Sequence, residues 1–266
     1  MSHDVGANMD YDERQASAYG GLSLEGSTFE ISLLPAIRAM GDLRGKLVLD
    51  FGAGTGRTAR ALRVHGARFV VAVDINQNML RAATKYPGVG YVQVGRTLPL
   101  ADGTLDTALC ANVLSEFSSL DAMKTACREI WRVLKPASSF VIVVPNPESV
   151  DCEYVSYAYI DAVSPERGSQ ITCLLKGPEP SFVKDYYWLT DDYIGVLESA
   201  GFELNEVLAP KADHGGGWLD ETRMAPDLVM RATRSAPKHV DYSAPSVAAE
   251  PRSGGSESDN GTVRHR

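Results

Sequence analysis

The segment Val48-Leu49-Asp50-Phe51-Gly52-Ala53-Gly54-Thr55-Gly56-Arg57 constrains this chain more than any other. An apolar run over residues 46–51 is cut off by glycines, and a helical pattern follows over 58–65. Glycine tolerates the backbone of a tight strand-to-helix turn and lets a ligand approach the N–H groups at a helix N-terminus. The loop therefore points to a nucleotide-type ligand, and its details narrow the choice. A dinucleotide fingerprint reads G-x-G-x-x-G. Counted from Gly52 and Gly54, its third glycine falls at position 57, which is Arg57. A carboxylate at Asp50 disfavours a pyrophosphate and suits a cationic amino-acid group. No Gly-Lys-Ser/Thr follows, which excludes a P-loop.

The rest of the chain repeats this strand-then-helix plan. Apolar runs at 69–74, 91–94, 106–111 and 140–144 read as further strands. Helical patterns lie at 77–85 and 121–134. The second places Met123, Ala126, Cys127, Ile130, Val133 and Leu134 at helical spacing and is stopped by Pro136. Near-continuous apolar strands alternating with helices imply a parallel sheet covered on both faces. A helix over 190–200, with Thr190 as N-cap and Gly201 as its stop, precedes two last strands at 202–208 and 228–234. The fold class is α/β, doubly wound, with a mostly parallel seven-stranded sheet and an antiparallel final strand.

Other parts frame this domain, which spans 26–234. Ser27-Thr28-Phe29-Glu30 matches a capping box, opening a helix with Ile31, Leu34, Ile37 and Met40 on one face. Pro35 should bend or break that helix. Residues 1–25 read as an N-terminal lid. Residues 148–189 form an insertion without a clean period, placed where a fold of this kind builds its binding pocket. Residues 235–266 hold no Leu, Ile, Phe, Met or Trp and read as a disordered tail.

The net charge of −8 makes nucleic acid a poor partner. Cys110, Cys127, Cys152 and Cys173 fit no zinc spacing and read as reduced core residues. No apolar run reaches membrane-spanning length and the N-terminus carries no apolar signal segment, so a cytoplasmic location is expected.

A second acid completes the pattern around the loop. Asp74 ends the second strand, twenty positions after Gly54, where a carboxylate can accept hydrogen bonds from ribose hydroxyls. With Asp50, the glycines and Asp74 in this order, the chain resembles the class I S-adenosylmethionine-dependent methyltransferases. The likeness continues through Leu98-Pro99-Leu100-Ala101-Asp102-Gly103-Thr104-Leu105-Asp106, through Arg128-Glu129-Ile130-Trp131-Arg132-Val133-Leu134-Lys135-Pro136, and through Leu197, Ala200, Gly201 and Phe202. It covers about residues 40–210.

The resemblance implies a Rossmann-like domain that uses S-adenosylmethionine and releases S-adenosylhomocysteine. It implies that Asp50, Gly52, Ala53, Gly54 and Gly56 hold the methionine part, and that Asp74 binds ribose. Ile75 and Met79 would pack near the adenine. Ala111 and Asn112 would line the sulfonium region, and Tyr11 and Tyr19 match the aromatic lid residues of the small-molecule enzymes. The chain departs from the family after strand three, where Gly95-Arg96-Thr97 offers backbone groups instead of an acid. It departs again at Ala137-Ser138, where the family has two glycines.

Catalytic candidates are fewer. His214 has the pKa range of a general base but sits among glycines, as a surface-loop histidine would. Glu116 follows strand four, where the cleft of such a fold lies. Tyr186, Tyr187 and Trp188 could wall a pocket for a flat substrate or pack in the core. The leading expectation is methyl transfer to O, N or C of a small organic acceptor in specialised metabolism. Alternatives are a bound, non-methylating cofactor serving a rearrangement or cyclisation, and a protein or peptide methyltransferase.

Overall fold

The uninterrupted apolar runs become the middle of one sheet. In the computed structural model, which describes residues 11–235, these are β1 (Leu47–Phe51), β2 (Phe69–Asp74), β3 (Val89–Gln93), β4 (Leu105–Ala111) and β5 (Leu134–Pro145). They pair in parallel, and β9 (Phe202–Leu208) and β10 (Asp227–Arg234) complete the order β3-β2-β1-β4-β5-β10-β9. β10 alone runs against its neighbours, antiparallel to both β5 and β9. The chain winds outward from β1 to β3, then returns to place β4 on the other side of β1. The two directions part at the carboxyl ends of β1 and β4, where α/β sheets bind ligands.

Alternating residues of each strand feed two cores. Leu49, Ala108, Cys110, Phe140 and Ile142 meet α5 (Leu120–Val133) and α6 (Thr190–Ser199). Val48, Val70, Leu109, Val141 and Val143 meet α2 (Thr28–Ala39) and α3 (Arg57–Val64) on the opposite face. α5 buries Met123, Cys127, Ile130 and Val133, the helical stripe expected from sequence, and Ser119 Oγ caps it by accepting from Ala122 N–H. All four cysteines are buried free thiols. Among the described residues, no helix is long and apolar enough to cross a membrane.

Several local expectations are corrected. The α2 helix runs through Pro35 without a break, held by buried Leu33, Ala36 and Ile37, with Met40 just past its end. Ile31 and Leu34 are only half buried, so the packed stripe is rotated from the expected one. Its capping box does not form. Ser27 Oγ donates to the Leu24 carbonyl, and Glu30 instead accepts from Gly26 N–H at 2.8 Å. In α6 the N-cap is Leu189 rather than Thr190, because Asp192 reaches back to accept the Leu189 N–H at 2.9 Å. The helix α4 (Gln77–Ala82) ends earlier than its pattern suggested.

Two regions lie outside the sheet. Of the expected lid, residues 11–25 are described and include α1 (Glu13–Gly20), whose capping box pairs Asp12 with Gln15. The tail from 236 onward and residues 1–10 lie outside the described residues. The insertion 148–189 holds a second sheet of β6 (Tyr157–Tyr159), β7 (Gln170–Leu175) and β8 (Ser181–Tyr186), all antiparallel. Leu22, Cys152, Tyr154, Tyr157, Cys173 and Leu175 form its own small core, which reaches back to the lid segment.

Where the family has glycines, Ala137 takes φ of +61° in an irregular stretch that enters β5. A left-handed backbone costs an L-residue about 1–2 kcal/mol, of which glycine's freedom in the unfolded chain takes back part. Ala137→Gly is therefore expected to stabilise the fold by about 0.5–1 kcal/mol, raising Tm by roughly 1–4 °C in a thermal melt. An unchanged or lower Tm would show that the strand entry carries no such strain.

Candidate functional site

A cavity of about 360 Å³ opens over the carboxyl ends of β1, β2 and β4. Its floor is the glycine loop, whose three glycines do different work. Gly52 has φ of +74°, and a Cβ there would lie 2.2 Å from Val113 Cγ2. Gly54, at φ of +53°, faces Met79 Cε and Tyr19. Both line the cavity. Gly56 lies outside it as the N-cap of α3, and its missing side chain leaves room for Tyr91 of β3. Ala53 is buried beneath the loop, with its N–H bonded to the Val73 carbonyl.

The two acids divide their roles. Asp74 lines the cavity, and its Oδ2 accepts the Gly54 N–H at 2.7 Å while Oδ1 accepts the Asn76 N–H at 2.8 Å. Burial raises its pKa, opposed by those same N–H groups. Asp50 is 1% exposed and sits under the loop, where the Ala59 N–H reaches it, so the cavity wall is made by its neighbours Phe51 and Gly52 instead. Direct contact with a ligand, expected of Asp50 from sequence, is not what this position offers. Its Oδ2 accepts no hydrogen bond from the protein. Burial, then the nearby Asp74, push its pKa to about 8.

The remaining wall comes from four directions. Ile75 and Met79 follow β2, and Gly95 and Arg96 follow β3. Thr97 is exposed and lies outside the wall. The first turns of α5 bring Asp121, Ala122 and Thr125, so a carboxylate does reach this end of the cavity, from a helix instead of from the turn after β3. Ala111 and Asn112 close the β4 side. Asn112 adopts φ of +55°, and its Oδ1 is shielded without a hydrogen-bond partner.

The lid closes the top. Tyr11 OH donates to Glu116 Oε1 at 3.0 Å, and the Tyr11 carbonyl accepts from both Asn76 Nδ2 and Asn78 Nδ2. Tyr19 OH accepts from Arg57 Nη2 at 3.2 Å, and the Tyr11 and Tyr19 rings meet edge to face. Burial drives the Glu116 pKa well above the carboxylate range, Asp185 adds to this, and the Tyr11 hydrogen bond opposes it.

Behind Tyr11, Tyr19, Asn112 and Glu116 lies a second, smaller chamber of about 50 Å³. Its far walls are Tyr157, Tyr159 and Asp185 from the inserted sheet, Phe29 from α2, and Asp227 from β10. Tyr159 OH donates to Asp185 Oδ2 at 3.0 Å, and Ser32 Oγ donates to Asp227 Oδ2 at 2.5 Å. Nothing in the local sequence announces this chamber, because its acids come from segments far apart in the chain.

Three other expected positions fall elsewhere. Trp188 is core, 8% exposed, with Nε1 donating to the Phe117 carbonyl. Tyr186 and Tyr187 border only a cleft of about 10 Å³ beside it. His214 is exposed on the loop before residue 220 and lines none of these cavities. The suitability of an imidazole for base chemistry did not locate it.

Comparison with known proteins identifies the family. Residues 49–142 match the methyltransferase domain family. N-demethylindolmycin N-methyltransferase of Streptomyces griseus is 30% identical over 179 residues, covering 62% of this chain and 74% of that protein. A putative S-adenosylmethionine-dependent methyltransferase from Listeria monocytogenes superposes with a TM-score of 0.60 at 22% identity, over 80% of this chain and all of the other. The Burkholderia thailandensis 1,6-didemethyltoxoflavin-N1-methyltransferase, solved with S-adenosylhomocysteine, gives 0.50 at 20% identity over 77% and 79%. The chain belongs to the class I S-adenosylmethionine-dependent methyltransferases. Its cofactor is S-adenosylmethionine.

Two outcomes test this site. Gly52→Ala puts a methyl group against Val113 and strains a left-handed backbone, so S-adenosylhomocysteine affinity should fall by at least about tenfold in calorimetry. Unchanged affinity would mean that the loop does not contact the ligand. Asp50 favours its protonated form when folded, since its pKa rises from the ordinary value to about 8. Its contribution to stability is complete below about pH 4 and is lost as pH rises through 8. The ligand-free protein should therefore lose stability across that range, and Asp50→Asn should flatten the curve. Parallel curves would show that Asp50 titrates normally.

Proposed function

We propose that this chain transfers a methyl group to a small organic acceptor in specialised metabolism. The acceptor would sit in the inner chamber while the larger cavity holds the methyl donor. The observation that carries this reading is the second chamber itself. It joins the cofactor cavity at Asn112 and Glu116, lies beneath Tyr11 and Tyr19, and is too small for a polypeptide or nucleic-acid strand. The relative that acts on N-demethylindolmycin and the neighbour crystallised with 1,6-didemethyltoxoflavin support a small-molecule acceptor. The net charge of −8 also favours this over nucleic acid.

The wall residues fit S-adenosylmethionine. The side-chain-free floor at Gly52 and Gly54 would give backbone access for its methionine part, Asp74 would accept from the ribose hydroxyls, and Ile75, Met79, Gly95 and Arg96 would bound the adenine. When bound, the cofactor supplies a methyl group already activated on a sulfonium. The protein then mainly has to position the acceptor in line and exclude water. Tyr11 and Tyr19 do the excluding, and the walls of the chamber orient the acceptor. Glu116, at the junction, is the residue placed to take a proton at its carboxylate when the acceptor must lose one. A carboxyl group with so raised a pKa is a stronger base once ionised.

Incubating the protein with labelled S-adenosylmethionine and a panel of small acceptors should give labelled product and S-adenosylhomocysteine. Glu116→Gln should lower kcat by about 10²–10⁴ for acceptors that lose a proton, with cofactor affinity little changed. Products formed without label would favour the non-methylating alternative, and label confined to peptides would overturn the small-molecule reading.

A further inference from the structure

We propose that the inner chamber recognises a protonated amine, so that the methyl acceptor carries a basic nitrogen. This rests on the methyltransferase reading above and adds the chemical class of the acceptor.

Three carboxyl groups, from Glu116, Asp185 and Asp227, line the chamber. Most of the hydroxyl donors beside them are already committed, Tyr19 OH, which accepts from Arg57 Nη2, being the exception. Tyr11 OH goes to Glu116, Tyr159 OH and the Ser115 side chain go to Asp185, and Ser32 Oγ goes to Asp227. Tyr157 OH donates to the Pro226 carbonyl. What the three carboxyl groups leave facing the space, when ionised, is acceptor capacity. A ligand carboxylate would meet like charge at the ionised groups, whereas an ammonium group brings two or three N–H donors and no acceptor.

The other walls suit the same guest. Tyr11, Tyr19, Phe29, Tyr157 and Tyr159 surround the chamber with π surface, with Phe29–Tyr157 and Tyr157–Tyr159 ring centroids 6.1 and 6.0 Å apart. Aromatic faces attract cations, most strongly where water is excluded. Among the described residues, no Lys, Arg or His lines the chamber. Arg57 stacks on the Tyr19 and Phe29 rings at 5.1 and 4.7 Å but does not line it. Buried carboxylates are costly without a counter-charge, and burial raises the pKa of all three, that of Asp227 to about 7. A bound cation would reverse that penalty. The volume of about 50 Å³ holds a head group and its nearest carbons, with the rest of the acceptor lying towards the lid.

The test uses the full chain saturated with S-adenosylhomocysteine, titrated calorimetrically with benzylamine, benzyl alcohol and benzoate at pH 7. These probes share a ring and differ in head charge. Benzylamine is expected to bind at least about tenfold more tightly than benzyl alcohol, with benzoate weakest. Asp185→Asn and Asp227→Asn should each weaken benzylamine by about tenfold while leaving benzyl alcohol within about twofold. The proposal is overturned if the alcohol or benzoate matches the amine, or if none of the three binds. It is also overturned if the Asn variants weaken S-adenosylmethionine but not S-adenosylhomocysteine or benzylamine, which would assign these carboxylates to the donor's sulfonium. The charge series needs no variant, so it decides even if Asp227→Asn fails to fold. Failure of S-adenosylhomocysteine itself to bind would count against the methyltransferase reading, and the same series on the ligand-free protein would still decide the chamber's preference.

Discussion

The Asp74 carboxylate ties the site together. One oxygen accepts the Gly54 N–H and fixes the loop, and the other accepts the Asn76 N–H and fixes the turn into α4. Asn76 then caps α4 through the N–H groups of Asn78 and Met79 and donates from Nδ2 to the Tyr11 carbonyl. Tyr11 in turn holds Glu116 through its hydroxyl. A single strand-end acid thus connects the glycine loop, the N-terminal segment and Glu116 through a chain of hydrogen bonds. Charge-assisted bonds of this kind are stronger than neutral ones and suit a junction that must keep its geometry.

The same chain of contacts explains why so much negative potential collects in one place. Asp74 and Glu116 line the larger cavity with Asp50 buried beneath its floor, and Asp185 and Asp227 line the smaller chamber. Asp74 raises the pKa of Asp50 and Glu116, and Asp185 raises those of Glu116 and Asp227, with burial as the larger cause in each case. A ligand-free protein meets that penalty by protonation. A sulfonium cofactor, and an acceptor of the right charge, would meet it by ion pairing, so binding and stability are coupled through these groups.

The parallel strands and the donor side were legible because each is local. A strand buried on both faces must be an unbroken apolar run, and the loop with Asp74 lies within one β-α-β unit. The inserted sheet was not legible, since β6 has three residues and β8 alternates exposed and covered positions without an apolar majority. The chamber was less legible still. Glu116, Asp185 and Asp227 belong to separate segments, and only tertiary packing makes them neighbours. Asp50 misled in the opposite sense. Its place in the motif was readable, but the direction of its side chain, under the loop instead of into the cavity, depends on the packing of α3. Asp121 was hidden because it comes to the cavity from a helix.

This division has a consequence for specificity. The donor side is built from consecutive elements of the sheet, so altering it disturbs the fold. Much of the smaller chamber is built from an insertion with its own small core. Within it, β8 sets the character of the chamber by register alone. Val183 and Asp185 face the space, while Phe182 and Lys184 face outward, Lys184 donating to Thr172. Pairing of Ile171 with Asp185 and of Thr172 with Lys184 fixes that alternation. A slip of one residue would exchange a buried carboxylate for an ammonium and invert the charge of the wall. The Tyr159–Asp185 hydrogen bond, formed across β7, opposes such a slip, so the same contact that consumes a donor in the chamber also fixes which charge lines it.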